Sequence, residues 1–453
     1  MSVTRTKPEL KNEIKFQLDN IATQTLENGL KLFYLRKEKL PMLRLNFVVE
    51  AGGKFDFLSK PGTARLTSQV IDEGADGLSA LELSDEFDLL GTDFSISADN
   101  DFIIFSLQSL TENFDKSIEL LSKVILKPDF PEKEFEREKK KLTVSIMQLK
   151  DDPEMIAEQI FDKIIFGNHY YGLPVRGYLD TVENIFPDDI KNHYQKYFKA
   201  ENSFIAAAGN IPSEEFFHYA EKYFNTFLSS SEKILLPESI ETPDKKVFVY
   251  DKPDSVQTEI RIGYLSGRRI LSDYFSKLLF NTIFGGQFNS RLNSNLREKK
   301  GLTYGIHSHF IYYKNSGYFS INTSVSSENT FEAVKEILNE MQNLENGVTK
   351  EELEFAKTSL TRKFPLNFEN YRQLTSNLSA LAIHNLPLSY FNDYLQNLNS
   401  VTLEQVNEQA KKLSQSDMKI ILVGNKISFT EQFVFNGFEI VDVDEKGMKA
   451  KIK

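Results

Sequence analysis

The sequence predicts an α+β protein of two homologous domains, each an antiparallel or mixed sheet packed with helices. Three observations carry that expectation. Strand-like and helix-like segments follow one another in mixed order with short hairpin-like links, as antiparallel sheets do and doubly wound folds do not. The stretch SSSEKILLPESIETPDKK, residues 229–246, is rich in Ser, Pro and charge and reads as an interdomain linker. Across it the pattern repeats. PEKEFEREKKKLT (131–143) lines up with TKEELEFAKTSLT (349–361) at an offset of 218. FSLQSLTENFDKSIELL (105–121) resembles FSINTSVSSENTFEAVKEIL (319–338) at offsets of 214 to 216, and FIAAAGNI (204–211) resembles KIILVGNK (419–426) at 215. Three matches in one order at nearly one offset indicate a duplicated unit. The expected boundaries are an arm at 1–20, a first domain at 21–228, the linker, a second domain at 247–440 and a tail at 441–453.

Each element has a local reason. TQTLENGLKLFYLRK is strand, turn at Asn28-Gly29, strand. MLRLNFVVEAGG is a strand closed by Gly52-Gly53. PGTARLTSQVIDEG predicts a helix with Pro61 at its start and Gly74 at its end, and LSALELSDEFDLLG a second one ended by Gly91. The strands TDFSISAD and DFIIFSLQSL follow, then the helix ENFDKSIELLSKVIL and a long charged helix from FPEKEFEREKKKLTVSIMQL. In the second half, YFSKLLFNTIFGGQFNSRLNSNLREKKGLTYGIHSHF reads as helix, Gly285-Gly286, helix, Gly301, strand. Gly301 suits a helix C′ position, and Lys299 and Lys300 suit the negative end of the helix dipole.

Composition narrows the function. Hydrophobic residues are 40% and charged residues 26% of the 453, as in folded globular proteins. A net charge of −11 argues against a nucleic-acid-binding face. With no cysteine there is no thiol nucleophile or thiolate metal site. The first residues have no apolar leader core and no segment has the roughly 18 apolar residues of a membrane span, so the expected location is cytoplasmic, or periplasmic if a leader has been trimmed.

No Gly-x-Ser-x-Gly elbow and no phosphate loop occurs. Arg65, Ser68 and Gln69 form a polar stripe on the first predicted helix, where i and i+4 residues share a face. An arginine stays protonated and cannot ligate a metal. His307 and His309 would project to one face of a strand but lack a third ligand nearby, and His169 sits in a turn. Arg297 falls in the last turn before Gly301 and Tyr304 at the start of the next strand, where the chain reversal lets both side chains face one space; as purely structural residues they would be a dipole-complementing surface arginine and a half-buried strand aromatic.

These stretches together resemble the insulinase, pitrilysin and mitochondrial processing peptidase family of zinc peptidases. The resemblance covers residues 21–430 and rests on TLENGLKLFYL, AGGKFD, KPGTARLTSQVIDEGA, DDPEMIAEQIFDKIIFGNHYYGLPVRG, FGGQFNSRL and LREKKGLTY. It implies two α/β domains forming half of a clamshell that encloses unfolded peptides. It implies an inverted zinc motif, His-x-x-Glu-His plus a downstream Glu, at positions that here hold Arg65, Ser68 and Gln69, then Val144 and Ser145. No zinc is therefore expected in this chain. The family's Arg and Tyr, seven residues apart, match Arg297 and Tyr304, and its glycine-rich substrate-facing turn matches Gly285 and Gly286. The resemblance thus implies a chain inactive alone that completes the zinc site of a homologous partner subunit, in a heterodimer that cuts peptides. The alternative is a non-enzymatic scaffold or peptide-binding protein of the same fold.

Overall fold

The computed structural model describes residues 14–229 and 246–450. The strands are β1 (Ala22–Thr25), β2 (Lys31–Arg36), β3 (Met42–Val49), β4 (Gly74–Ala75), β5 (Leu78–Ser79), β6 (Asp93–Ala98), β7 (Ile103–Leu110), β8 (Ser203–Gly209), β9 (Val247–Asp251), β10 (Gln257–Leu265), β11 (Ile306–Tyr312), β12 (Gly317–Ser326), β13 (Lys419–Gly424) and β14 (Ile440–Asp442). Apart from the small β4–β5 pair they make two six-stranded sheets, ordered β1-β2-β8-β3-β7-β6 and β11-β12-β10-β13-β9-β14.

The duplication is visible in this order. In each sheet a parallel pair, β2–β8 or β9–β13, leads into three antiparallel neighbours and ends on an edge strand, β6 or β11. The repeated sequences fall on matching elements: β8 with β13, β7 with β12, and the helix Glu132–Leu149 with the helix Lys350–Lys363. The halves differ at the sixth strand, where β1 runs antiparallel to β2 but β14 runs parallel to β9.

Most helices form where expected. Ser79 and Glu82 cap the helix Ala80–Leu89 reciprocally, and Gly91 leaves it at a φ of 61°. The helix Thr63–Val70 takes its first backbone donors to a carboxylate: Asp56 accepts from Gly62 and Ala64, each at 2.8 Å.

The two halves are not separated by an open cleft; each lends the other a helix. Pro153–Phe166, from the first half, lies on β10 and β13 of the second sheet. Its Ile160, Phe161, Ile164 and Ile165 pack with Phe248, Tyr318, Ile421 and Val423. The approach is close enough that a Cβ on Gly263 would meet the Phe161 ring at 2.7 Å. Tyr371–Ile383, from the second half, lies on β8 and β3 of the first sheet, where Ala206 and Ala208 leave room for Leu374, Leu378 and Leu381. At about 1.5–3 kcal/mol per fully buried aliphatic or aromatic side chain, these exchanged faces are a main source of cohesion.

A buried polar knot joins the halves at one end. Lys54, almost without solvent contact, pairs with Glu50 and Asp101 at 2.8 Å each. Asp101 also accepts from the Tyr171 hydroxyl at 2.7 Å and from the Lys314 backbone at 2.8 Å, and Lys314 reaches Glu50 with its ammonium.

Two expected boundaries change, and the linker at 229–246 lies almost wholly outside the described residues. Of the expected arm, residues 14–20 grip the second domain: Leu18 is buried there, and the Phe16 ring centre is 4.8 and 4.6 Å from those of Phe364 and Phe368. The expected tail from 441 begins inside β14, with Val441 and Val443 buried against the helix Pro153–Phe166. Val441, Asp442 and Val443 alternate buried, exposed and buried, and β14 completes the second sheet as its sixth strand.

Candidate functional site

The stretch carrying Arg297 and Tyr304 is built on a close-packed glycine turn. The helix Leu271–Phe284 ends at Gly285, and the amides of Gly285 and Gly286 both donate to the Asn281 carbonyl, at 2.9 and 2.7 Å. Gly285 in turn accepts from the Ser308 backbone on β11 at 3.1 Å. A Cβ on Gly285 would stand 2.4 Å from Ser308 Oγ, and one on Gly286 would stand 2.6 Å from Asn281 Nδ2. Both glycines are therefore required by packing.

The segment expected as an α-helix is a π-turn over Asn293–Lys299. Lys300 N–H donates five residues back to Asn295, and Leu302 N–H six residues back to Leu296. Gly301 then reverses the chain at a φ of 64°, as its C′ position predicted. Asn293 ties the turn to β11, donating to the Ile306 carbonyl at 2.6 Å. The wide turn and the reversal together set where Arg297 emerges. Wide turns of this kind are rare and are found often at functional sites.

Arg297 is half-buried. Its guanidinium carbon lies 4.2 Å from the centre of the Phe288 ring, and its Nε is 3.6 Å from Glu298. Phe288 is itself exposed. Tyr304 is neither half-buried nor in a strand: it sits in a bend before β11 and is 93% exposed. Thr303 takes the inward place instead, its hydroxyl donating to the Ser324 carbonyl at 2.9 Å and receiving the Gly305 and Thr323 donors. No hydrogen bond joins Arg297 to Tyr304. Lys300 pairs with Glu332 and Glu336 rather than with the turn's carbonyls.

The remaining candidates have local roles. His309 Nε2 is 3.0 Å from Ser320 Oγ, and burial lowers its pKa, with smaller contributions from Arg261 and His307. His169 is buried, and its Nδ1 accepts from the Tyr171 backbone at 3.2 Å.

On the helix Thr63–Val70, the residues at the metal-motif positions do not fit zinc. Arg65 presents a guanidinium, Ser68 gives its hydroxyl proton to the Arg65 carbonyl at 2.7 Å, and Gln69 offers only an amide. On the packed helix Glu132–Leu149, Val144 is an exposed apolar side chain and Ser145 bonds to the Leu142 carbonyl at 2.8 Å. Among the described residues no group of three or more His, Cys, Asp or Glu side chains converges.

Sequence reasoning missed Phe288 as the support of Arg297. The signal was present, since FGGQFNSRL puts an aromatic in a polar, glycine-rich turn nine residues before that arginine.

Comparison with known proteins agrees with this architecture. Residues 34–177 match the family model described as Insulinase (Peptidase family M16), and residues 184–360 match Peptidase M16 inactive domain, which together take in well over half of the chain. The chain is similar to an uncharacterized zinc protease YmxG of Bacillus subtilis, at 23% identity over 89% of this chain and 98% of that protein. It is similar to a non-peptidase homolog YmxG of Helicobacter pylori, at 23% identity over 87% of this chain and 92% of that protein. A crystal structure of a peptidase M16 inactive domain from Pseudomonas fluorescens superposes with a TM-score of 0.84 at 28% identity, covering 89% of this chain and 98% of that one. The chain belongs to the insulinase family, peptidase M16.

Proposed function

We propose that this chain is the zinc-free subunit of a heterodimeric M16 peptidase. A homologous partner would supply the zinc and its ligands, and this chain would supply Arg297, Tyr304 and half of the wall of a chamber that takes peptides. The observation that carries the reading is the contrast between two places. The metal-motif positions hold Arg65, Ser68 and Gln69, while Tyr304 presents a phenol 93% exposed, close in sequence to an arginine braced on an aromatic ring. An exposed, unpartnered tyrosine on a well-anchored turn is costly to keep for packing and useful to a substrate.

The chain's own chemistry would be electrophilic. The Tyr304 hydroxyl would donate to the oxyanion of a peptide carbonyl under attack. The Arg297 guanidinium would hold a neighbouring carbonyl or carboxylate with two N–H donors. All metal chemistry would belong to the partner. Gly285 and Gly286 would border the substrate through their backbone, in addition to the packing that requires them. A cytoplasmic site of action fits a chain in which no described helix is long and apolar enough to cross a membrane.

The test is reconstitution. Mixing this protein with a homologue bearing His-x-x-Glu-His should give a heterodimer that cleaves unfolded peptides, and Arg297→Ala and Tyr304→Phe should each lower its kcat. Cleavage indifferent to both substitutions overturns the assignment. A second reading, a non-enzymatic scaffold or peptide-binding protein, draws on the similarity to chains named as inactive or non-peptidase. Assembly without cleavage would select it.

A further inference from the structure

The helix that carries no metal motif carries a positive side chain in its place, and a second one stands beside it. Arg65, on the helix Thr63–Val70, is half-buried, and its guanidinium makes no hydrogen bond or ion pair with any described residue. Arg176, in the turn 174–178, is likewise half-buried and unpaired. Backbone packing brings the turn to the helix. A Cβ on Gly62, three residues before Arg65, would lie 3.1 Å from the Arg176 carbonyl oxygen, and one on Gly177 would lie 2.2 Å from that of Pro61. The guanidinium of Arg176 registers the proximity: burial lowers its pKa, the Glu158 carboxylate counters this, and the Arg65 charge lowers it further. Glu158 and Asp152 are the acids that face Arg176. Glu158 is exposed and Asp152 is engaged in capping the helix Pro153–Phe166, and neither forms an ion pair with it.

Arg176 also borders a cavity of about 250 Å³ walled by Ile146, Leu149, Met155 and Ile156. The lysines at its rim are already matched, Lys150 to Glu445 at 3.3 Å and Lys446 to Asp180 at 2.7 Å, while Glu183 points to solvent there. One helical turn beyond Arg65, on the same face, Gln69 Oε1 is buried and accepts no hydrogen bond. Arg176 thus stands between an apolar cavity, which it lines, and the helix that carries Arg65 and the idle acceptor of Gln69.

We propose that Arg65 and Arg176 form a carboxylate site that holds the C-terminus of a peptide, with the last, apolar side chain of that peptide in the adjoining cavity. This rests on the reading of the chain as the wall of a peptide chamber. Two guanidinium forks suit a carboxylate. An acidic side chain would bring the charge without an apolar group on the same residue; a C-terminal residue brings both. Gln69 Oε1 would take a peptide N–H.

The test compares a short fluorescent peptide ending in leucine, once with a free carboxylate and once amidated, by anisotropy against the full chain. The free acid should bind about tenfold or more tightly than the amide, as charge-assisted hydrogen bonds predict. Arg65→Gln and Arg176→Gln should each erase that difference while leaving the amidated peptide's affinity unchanged, which also shows the variants to be folded. Equal binding of acid and amide, or discrimination that survives both substitutions, overturns the carboxylate site and leaves the chamber reading standing. No binding of either peptide, by the chain or by its complex with a zinc-bearing homologue, overturns both.

Discussion

The guanidinium of Arg297 rests on the face of Phe288, its central carbon 4.2 Å from the ring centre, on a surface where both side chains meet solvent. An exposed stack of this kind is worth about 0.5–1 kcal/mol. It does little for folding; its effect is to hold a long, mobile side chain in one direction. Phe288→Ala should therefore lower kcat of the reconstituted complex by about two- to fivefold with little change in thermal stability. Steady-state kinetics beside a melting curve checks this, and an unchanged kcat would mean that Arg297 needs no support.

Tyr304 should separate activity from stability most cleanly. Tyr304→Phe removes one hydroxyl that no described group contacts, so the unfolding midpoint of the chain should not move. In the proposed heterodimer, loss of this proposed oxyanion donor should lower kcat by about 10²–10³. A rise in KM with kcat preserved would assign the phenol to ground-state binding instead.

Gly285 is predicted to matter to folding before it matters to substrate. An alanine Cβ there would press on Ser308 Oγ at 2.4 Å and on Leu292 at 2.9 Å. Gly285→Ala should cost about 1–3 kcal/mol in urea unfolding, as overpacked cores do. Gly285→Ala with Ser308→Gly should recover part of that loss, because the clash partner is gone. A midpoint equal to wild type in the single variant would move the reason for this glycine to the substrate.

His193 gives a pH signature. It is buried against Tyr197, with ring centres 4.9 Å apart, and neither ring nitrogen has a hydrogen-bond partner. Burial, with a smaller contribution from the charge of Lys196, pushes its pKa down to about 3. The folded value lies below the unfolded one of 6.5, so the unfolded state binds the proton first. The associated stability is complete above about pH 6.5 and is lost as pH falls towards 3. Asp56, raised to about 8 by burial, acts in the opposite sense, costing stability as pH rises from about 4 to 8. His193 Nε2 lies 3.9 Å from Asp56 Oδ1, so the difference between wild type and His193→Phe reads this buried pair together. The variant should lose less stability between pH 6.5 and 4, followed by urea midpoints at each pH, and parallel profiles would exclude His193 as the cause.

Much of the fold was legible because duplication writes itself twice. FIAAAGNI and KIILVGNK became the central strands β8 and β13, and the glycines at 91 and 301 ended their elements at positive φ. What periodicity could not convey was ownership. The apolar faces of Pro153–Phe166 and Tyr371–Ile383 were readable as faces to be buried, but nothing in a stripe of Ile, Phe and Leu says whose sheet it covers. The π-turn was hidden for a related reason: NSNLREK suits an α-helix as well, and the bonds of Asn293 to Ile306 that hold the wider turn are made across the chain reversal. Tyr304 lies in a bend outside the strand because Thr303, with three hydrogen-bond partners, takes the inward place, and two of those partners, Thr323 and Ser324, come from β12, which the local sequence does not name. At the metal-motif helix the poor fit of Arg65, Ser68 and Gln69 to zinc follows from their side-chain chemistry, but the neighbour at Arg176 appears only when the turn folds onto Pro61 and Gly62.

The exchanged helices make the covalent connection between the halves expendable. A protein cut anywhere between 229 and 246 should remain one particle, and two separately made fragments should recognise each other, since each carries the lid for the other's bare sheet. Under the proposed function, the opening that admits a peptide then falls between this chain and its partner rather than between its own two halves.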